Sequence, residues 1–326
     1  MDLNELVKKI KGRKILVLGD VTFDKHIVGS VTKISPEAPV PMMEVDSESY
    51  HLGGAANIIK NLHELGGEAG IMTVTGNDPE GVYLAQEIEK MGVDTNGIFR
   101  EKERITTMVT RVLTRENYQL LRMERAENRE IDHETVTKLA NHLRNIINTF
   151  DVLLIADYGR GTMTQELVGD VVGVAKETGK KIVVNPKKEH FSYYEGVDVI
   201  RTNRGEASYA TGVSPINETS IRIMGQKILS SVRCGAVLIT WIEDGFHLFE
   251  RDGRVTFIPP LVRRPVDVTG VGDTVTCVLA LGLAAGARLE DSARLANYAG
   301  AIVANKKGLA TATSEELKEA LAKGIS

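Results

Sequence analysis

DVLLIADYGRGTMTQELVGDVVGVAKETGKKIVVN, residues 151–185, decides the fold. Residues 152–156 form a continuous apolar run, residues 164–178 carry apolar side chains at helical spacing, and residues 182–184 return to an apolar run. Strands that are apolar throughout are buried on both faces, and a helix between two of them makes a parallel crossover. The same order continues with strand 197–200, helix 221–230 and strand 237–241. A hairpin of 246–249 with 255–258 and two helices, 273–285 and 289–305, follow. Toward the N-terminus, residues 15–18 read as another buried strand. Ala55, Ile58, Ile59, Leu62 and Leu65 mark a helix stopped by Gly66-Gly67, then come strand 71–75 and helix 131–148. The class is α/β, a mostly parallel sheet flanked by helices. Segments 26–31, 40–45, 105–113 and 118–123 are β-prone without intervening helices, the last two joined as a hairpin. They are expected to form a small sheet that covers a ligand at the C-terminal edge of the parallel strands.

The 326 residues are 42% hydrophobic and 26% charged, which is globular composition. Lys plus Arg number 40 against 44 Asp plus Glu, a formal charge of -4, and no nucleic-acid partner is expected. The N-terminus lacks an apolar stretch with a small-residue cleavage site, so secretion is not expected. Residues 275–287 are the longest apolar run; they fall short of the roughly 20 residues that span a bilayer and read as a core helix, with no membrane partner. Cys234 and Cys277 both sit in apolar runs as buried, reduced thiols, in keeping with a cytoplasmic location.

Chemistry concentrates in four places. In Val266-Asp267-Val268-Thr269-Gly270-Val271-Gly272-Asp273-Thr274, a glycine-rich turn leads into an apolar helix. Free N–H groups and the positive helix end suit a transferring phosphoryl group, and Asp273 there suits a general base; the plain alternative is an N-cap. Gly53-Gly54-Ala55-Ala56-Asn57 lets backbone approach a ligand and offers an amide to hydroxyls. Asp20 and Asp24, near the end of the first strand, suit vicinal hydroxyls. Asn203 and Glu206, after strand 197–200, suit hydrated Mg²⁺ or simply a capping pair. Walker A, dinucleotide, zinc-protease and nucleophile-elbow motifs are absent from the sequence.

In this order, these segments resemble the PfkB (ribokinase-like) carbohydrate kinases over nearly the whole chain. The first signature is similar to GGAANIIKNLHELGGEAGIMTVTGND (53–78) and the second to residues 267–274. Within the family, the chain resembles the kinases of D-glycero-β-D-manno-heptose 7-phosphate. That likeness is carried by GDVTFDKHIVGSVTKISPEAPVPMMEV (19–45), QLLRMERAE (119–127), ADYGRG (156–161), NPKKEHFSYYEGVDVIRTNRGEA (185–207) and ANKKGLATATSEEL (304–317). The resemblance implies a Rossmann-like ribokinase fold in one domain over residues 1–326, with a discontinuous β lid at about 24–48 and 104–124. It implies ATP-dependent phosphorylation of the anomeric hydroxyl, with Mg²⁺ and a monovalent cation, K⁺. Asp273 would be the base, and Gly270, Val271 and Gly272 the anion hole. Asp20, Asp24, Gly53, Gly54, Asn57, Arg122 and Asp157 would bind the sugar phosphate. Asn185, Asn203, Glu206, Thr240, Gly245 and Asn297 would serve the nucleotide, Asn203 and Glu206 holding Mg²⁺ through water, and Asp267 and Thr269 the monovalent cation. Arg111, Arg122 and Arg160 are candidates for the distal phosphate. A homodimer through the lid is expected. Apolar Val40, Met42, Met43 and Val45 suit either that interface or a cover over the site. Bifunctional members of the subgroup carry a second, nucleotidyltransferase domain, so this chain is expected to correspond to the kinase half.

The chain departs from the family at Val271 (usually Ala), Asn185 (usually Asp), Thr202 (usually Pro), Leu309 (usually Thr, toward the adenine) and Ile242 (usually Gly). Ile242 would place β-branched bulk toward the nucleotide, where positive φ is unfavourable. These substitutions keep open a degenerate sugar-phosphate-binding paralogue as an alternative function. A kinase for another sugar is the other alternative.

Overall fold

In the computed structural model, which describes residues 1–325, ten helices and thirteen strands are formed among the described residues. The helices are α1 Leu3–Lys9, α2 Ala55–Glu64, α3 Pro79–Lys90, α4 His133–Ile146, α5 Gln165–Glu177, α6 Arg204–Thr211, α7 Glu218–Val232, α8 Val271–Ala284, α9 Leu289–Ala304 and α10 Ser314–Lys323. The strands are β1 Lys14–Gly19, β2 Val21–Ile34, β3 Pro41–Gly54, β4 Glu68–Gly76, β5 Ile98–Glu101, β6 Met108–Thr114, β7 Gln119–Arg125, β8 Val152–Ala156, β9 Lys181–Asn185, β10 Val199–Asn203, β11 Ala236–Trp241, β12 Gly245–Glu250 and β13 Val255–Ile258.

Nine strands make one sheet, in the order β13-β12-β11-β10-β9-β8-β1-β4-β5. At one edge β11–β12 and β12–β13 pair antiparallel, and the remaining pairs are parallel. Successive residues of β1 serve opposite faces. Ile15 and Val17 join the core with α2, α8 and α9; Leu16 and Leu18 join the core with α4, α5 and α7. β8 does the same with Val152 and Leu154 against Leu153 and Ile155. Helix α8 is buried nearly all round, which is why its sequence lacks a polar stripe. Both cysteines are buried free thiols, and burial pushes Cys234 up to about 12. Among the described residues, no helix is long and apolar enough to cross a membrane.

The second sheet has four strands in the order β3-β2-β6-β7. β2 pairs parallel with β6, whereas β2–β3 and β6–β7 are antiparallel. β2 and β3 are 14 residues each, far longer than the predicted patches 26–31 and 40–45. β3 extends through exposed polar residues such as Asp46, Ser47 and Glu48, where hydrophobicity carries no strand signal, whereas β2 extends backward mainly through buried Val21, Thr22, Phe23 and Asp24. Residues 105–107 precede β6 instead of belonging to the predicted hairpin. β7 is exposed throughout, with Leu120, Leu121 and Met123 among its residues, and Val40 and Val45 are exposed at the other side of the sheet.

Candidate active site

Helix α8 starts at Val271 after Gly270, whose φ of 80° places it in the left-handed region that glycine occupies without strain. Asp273 is therefore the third residue of the helix, not its N-cap. Its Oδ1 accepts the Tyr158 hydroxyl at 2.6 Å, and its Oδ2 accepts Asn57 Nδ2 at 2.7 Å. Burial raises its pKa, opposed by these two donors and by the charge of Arg201. A raised carboxylate fixed in orientation has the character of a general base. Val271 N–H donates to Val268 O at 3.3 Å and Thr274 N–H to Gly270 O at 3.1 Å, which leaves the first-turn N–H groups of Gly272 and Asp273 as the donors this helix end offers to an anion.

Beneath the small sheet, a cleft of about 260 Å³ is lined by Asp24, His26, Arg111, Asp267, Thr269 and Leu309, among others. Arg111 Nη1 lies 3.9 Å from Asp24 Oδ1, too far for a hydrogen bond. Both atoms are buried without partners, as is Asn57 Oδ1. Unsatisfied buried polar atoms are costly, so a site that keeps three of them is built for a polar ligand. Burial raises the Asp24 pKa, with Arg111 opposing. Gly53 is required here: a Cβ would lie 2.1 Å from Thr22 Oγ1 and 2.5 Å from Asp24 Oδ2. Gly54, with φ of 60°, turns the chain from β3 into α2, and its Cβ would press on Asp20 O at 2.4 Å.

Asp20 and Asp157 hold the loop that carries Tyr158. Asp20 accepts the N–H groups of Tyr158, Arg160 and Thr162, each at 3.0 Å. Asp157 accepts Gly159 N–H and the Tyr194 hydroxyl and pairs with His190. Of the three candidate arginines, Arg111 lines the cleft. Arg122 stands directly opposite it on β7 and pairs with Glu124, whereas Arg160 is held by Glu124 and Asn128. Asp267 accepts Thr269 N–H and Gly308 N–H, joining two turns at the edge of the cleft.

A larger cleft, of about 530 Å³, opens on the other side of Gly272. Arg201, Asn203, Arg204, Thr240, Trp241 and Ile242 line it, among others. Asn203 and Glu206 form a reciprocal capping box at the start of α6, and Thr202 Oγ1 adds a bond to Glu206. Arg204 stacks over Trp241. Gly245 has φ of 94°, and a Cβ there would lie 2.3 Å from Ile258 O, so it serves the β12–β13 pairing. Asn297 donates to Pro259 O and keeps a buried, unpartnered Oδ1.

The Ile242 backbone stays out of the left-handed region; its side chain lines the larger cleft and also packs with Val271 in the core. Leu309 abuts Gly270 and lines the cleft under the small sheet, not the larger one. Sequence reading passed over Arg201 and Tyr158. Arg201 carried a signal, a charge inside an otherwise buried strand; Tyr158 carried none beyond its neighbours.

A doubly covered α/β sheet, a second sheet over its strand ends and a carboxylate on the first turn of a glycine-led helix together define a sugar kinase of the ribokinase-like class. Residues 13–316 match the pfkB family of carbohydrate kinases, and the chain belongs to that family. It is 34% identical over 321 residues to the bifunctional protein HldE of Syntrophotalea carbinolica, covering 98% of this chain and 65% of that protein. Bifunctional protein HldE of Geobacter metallireducens is 37% identical over 302 residues, covering 93% and 61%. The chain thus spans somewhat under two thirds of the length of these relatives. Among solved structures, Escherichia coli phosphofructokinase-2 in complex with potassium superposes with a TM-score of 0.77 at 17% identity, covering 95% of this chain and 98% of that one. Arabidopsis thaliana ribokinase complexed with ribose and ATP gives 0.73 at 16%, covering 95% and 99%.

Proposed function

We propose that this carbohydrate kinase transfers the γ-phosphoryl group of ATP to the anomeric hydroxyl of D-glycero-β-D-manno-heptose 7-phosphate, giving the 1,7-bisphosphate. The observation that carries the reading is the position of Asp273, tied by Asn57 to the sugar side and one residue from Gly272, which borders the nucleotide-side cleft. Asp273 takes the hydroxyl proton. The backbone at Gly270, Val271 and Gly272 holds the transferring group, and Asp24, Asn57 and Arg111 orient the sugar. Asn203 and Glu206 would hold Mg²⁺ through water, and the ion would neutralise phosphate charge. K⁺, suggested by the potassium complex of a neighbour, would sit by Asp267 and Thr269. The heptose assignment rests on the motif resemblance and on the HldE relatives. A cytoplasmic location and a homodimer through exposed Leu120, Leu121 and Met123 of the lid belong to the same reading.

The test is ADP release from Mg-ATP with the heptose 7-phosphate, beside a panel of other sugars and sugar phosphates and the Asp273→Asn variant. Turnover with the heptose phosphate, lost in the variant, supports the reading. Faster turnover with another sugar would replace the substrate. No turnover and no Mg-ATP binding would favour the non-catalytic sugar-phosphate binder, a reading that the packing of Ile242 and Val271 into the core counts against. Sedimentation velocity tests the dimer.

A further inference from the structure

We propose that Arg201 is a catalytic residue that binds the transferring phosphoryl group, and that Asn185 keeps its charge free for that task. The inference rests on the kinase reading above. Arg201 lies on β10, 7% exposed, in the middle of the large sheet. Its Nη1 donates to Asn185 Oδ1 at 3.2 Å and its Nη2 to Thr240 Oγ1 at 2.8 Å, both neutral acceptors. Its Nε is buried without a partner. Among the described residues, no carboxylate forms an ion pair with it. Asp273 is nearby, but both its oxygens are already bonded to Tyr158 and Asn57.

A buried guanidinium without a counter-ion is expensive unless something anionic completes it. The guanidinium lies against the anion-hole backbone: a Cβ on Gly272 would fall 2.6 Å from Nη1 and 3.0 Å from Cζ. The missing side chain of Gly272 thus leaves room for the guanidinium where it now lies. Arg201 also lines the larger cleft. Two positive features, the N-terminus of α8 and a planar fork of donors, therefore meet at one point, an arrangement suited to phosphate oxygens.

In the reaction, the sugar oxygen bonds to the γ-phosphorus and the bond from phosphorus to the β–γ bridging oxygen breaks. That oxygen leaves with the electron pair on the nucleoside diphosphate, and the hydroxyl proton goes to Asp273. Arg201 faces the negative oxygens of the group in flight. An aspartate at 185 would stand at ion-pair distance from the guanidinium and neutralise it. Asn185 holds Arg201 in place and leaves the charge uncancelled.

The experiment compares wild type, Arg201→Met, Arg201→Lys and Asn185→Asp in steady-state kinetics, Mg-ATP calorimetry and thermal melts. Arg201→Met is expected to lower kcat about 100-fold or more, the loss typical of one missing transition-state donor, with little change in sugar-phosphate KM. Arg201→Lys should retain more activity than Arg201→Met, and Asn185→Asp should lose about tenfold at an unchanged melt. Because the Arg201 charge helps keep Asp273 ionised against Glu206 and burial, Arg201→Met should also move the acid limb of the kcat profile to higher pH. An active wild type with a folded Arg201→Met variant within about threefold in kcat and Mg-ATP affinity would overturn the inference alone. If Arg201→Met fails to fold, undiminished turnover in both Arg201→Lys and Asn185→Asp overturns it. A wild type that neither binds Mg-ATP nor turns over would overturn the kinase reading, and this inference with it.

Discussion

On the sugar side of the site, Asp24 Oδ1, Arg111 Nη1 and Asn57 Oδ1 are buried and unbonded. On the nucleotide side, Asn203 is closed on Glu206, and Asn185 and Thr240 are closed on Arg201. The first wall withholds hydrogen bonds from the protein itself, so a ligand lacking the right hydroxyls leaves those groups unpaired. That is how a polar pocket rejects near relatives of its substrate. The second wall offers backbone N–H groups, a stacked arginine and one buried charge, which read phosphates without much regard to what carries them. On the proposed reading, selectivity is concentrated under the small sheet and phosphoryl handling along α8.

The largest effect tests the group shared by both walls. Asp273→Asn should lower kcat by at least about 100-fold, because base and charge are lost together; an unaltered rate would remove Asp273 from the chemistry. Next, Gly53→Ala drives a methyl into Thr22 and Asp24. Overpacking of about 1–3 kcal/mol should raise the sugar-phosphate KM about tenfold or more while the ATP KM stays put. A matching rise in both would break the division between the walls. Arg111→Ala should raise the sugar-phosphate KM about tenfold, again without moving that for ATP, as measured by initial rates.

A smaller effect concerns pH. Burial raises the Asp273 pKa, and the Tyr158 hydroxyl holds it down by donating to the carboxylate. In the proposed role Asp273 works as a base when ionised, so kcat should fall as pH drops through this raised value. Tyr158→Phe removes the opposing donor, raises the pKa further and should carry the acid limb to higher pH, visible in a kcat–pH profile. A limb that does not move would separate Tyr158 from the base. The least effect on ligand binding is expected of Ile242→Ala. A cavity in the core should lower stability by about 2–5 kcal/mol, read as a falling Tm. The ATP KM should change by less than about threefold.

The large sheet was legible because burial on both faces writes itself as unbroken apolar runs: strands 152–156, 182–184 and 237–241 all sit within observed strands. The small sheet was legible only in part, since half of β3 and all of β7 are exposed and polarity there says nothing about conformation. α1, α3, β5, α6 and α10 went unread. Within the site, the glycine turn, Asp273 and Asn57 stood out because few residue types suit such positions. The pairing of Asn57 with Asp273 spans 216 residues and exists only in three dimensions. The same holds for Arg201 and Gly272: the missing side chain of one makes room for the other, which neither residue reveals alone.

β1 ends at Gly19 and β2 begins at Val21, with Asp20 as the sole residue between them. The backbone carbonyl of Asp20 also receives Ala55 N–H, where β3 turns into α2, while its carboxylate grips the loop bearing Tyr158. At this crossing no linker separates the cover from the body. A designer wishing to graft another relative's cover onto this scaffold would find looser joints at residues 102–107 and 126–132, but the junction into β2 passes through the residue whose carboxylate holds the loop bearing Tyr158, and the junction out of β3 is bonded to the same residue. Changes of substrate in such a scaffold are more accessible one side chain at a time than by exchange of modules.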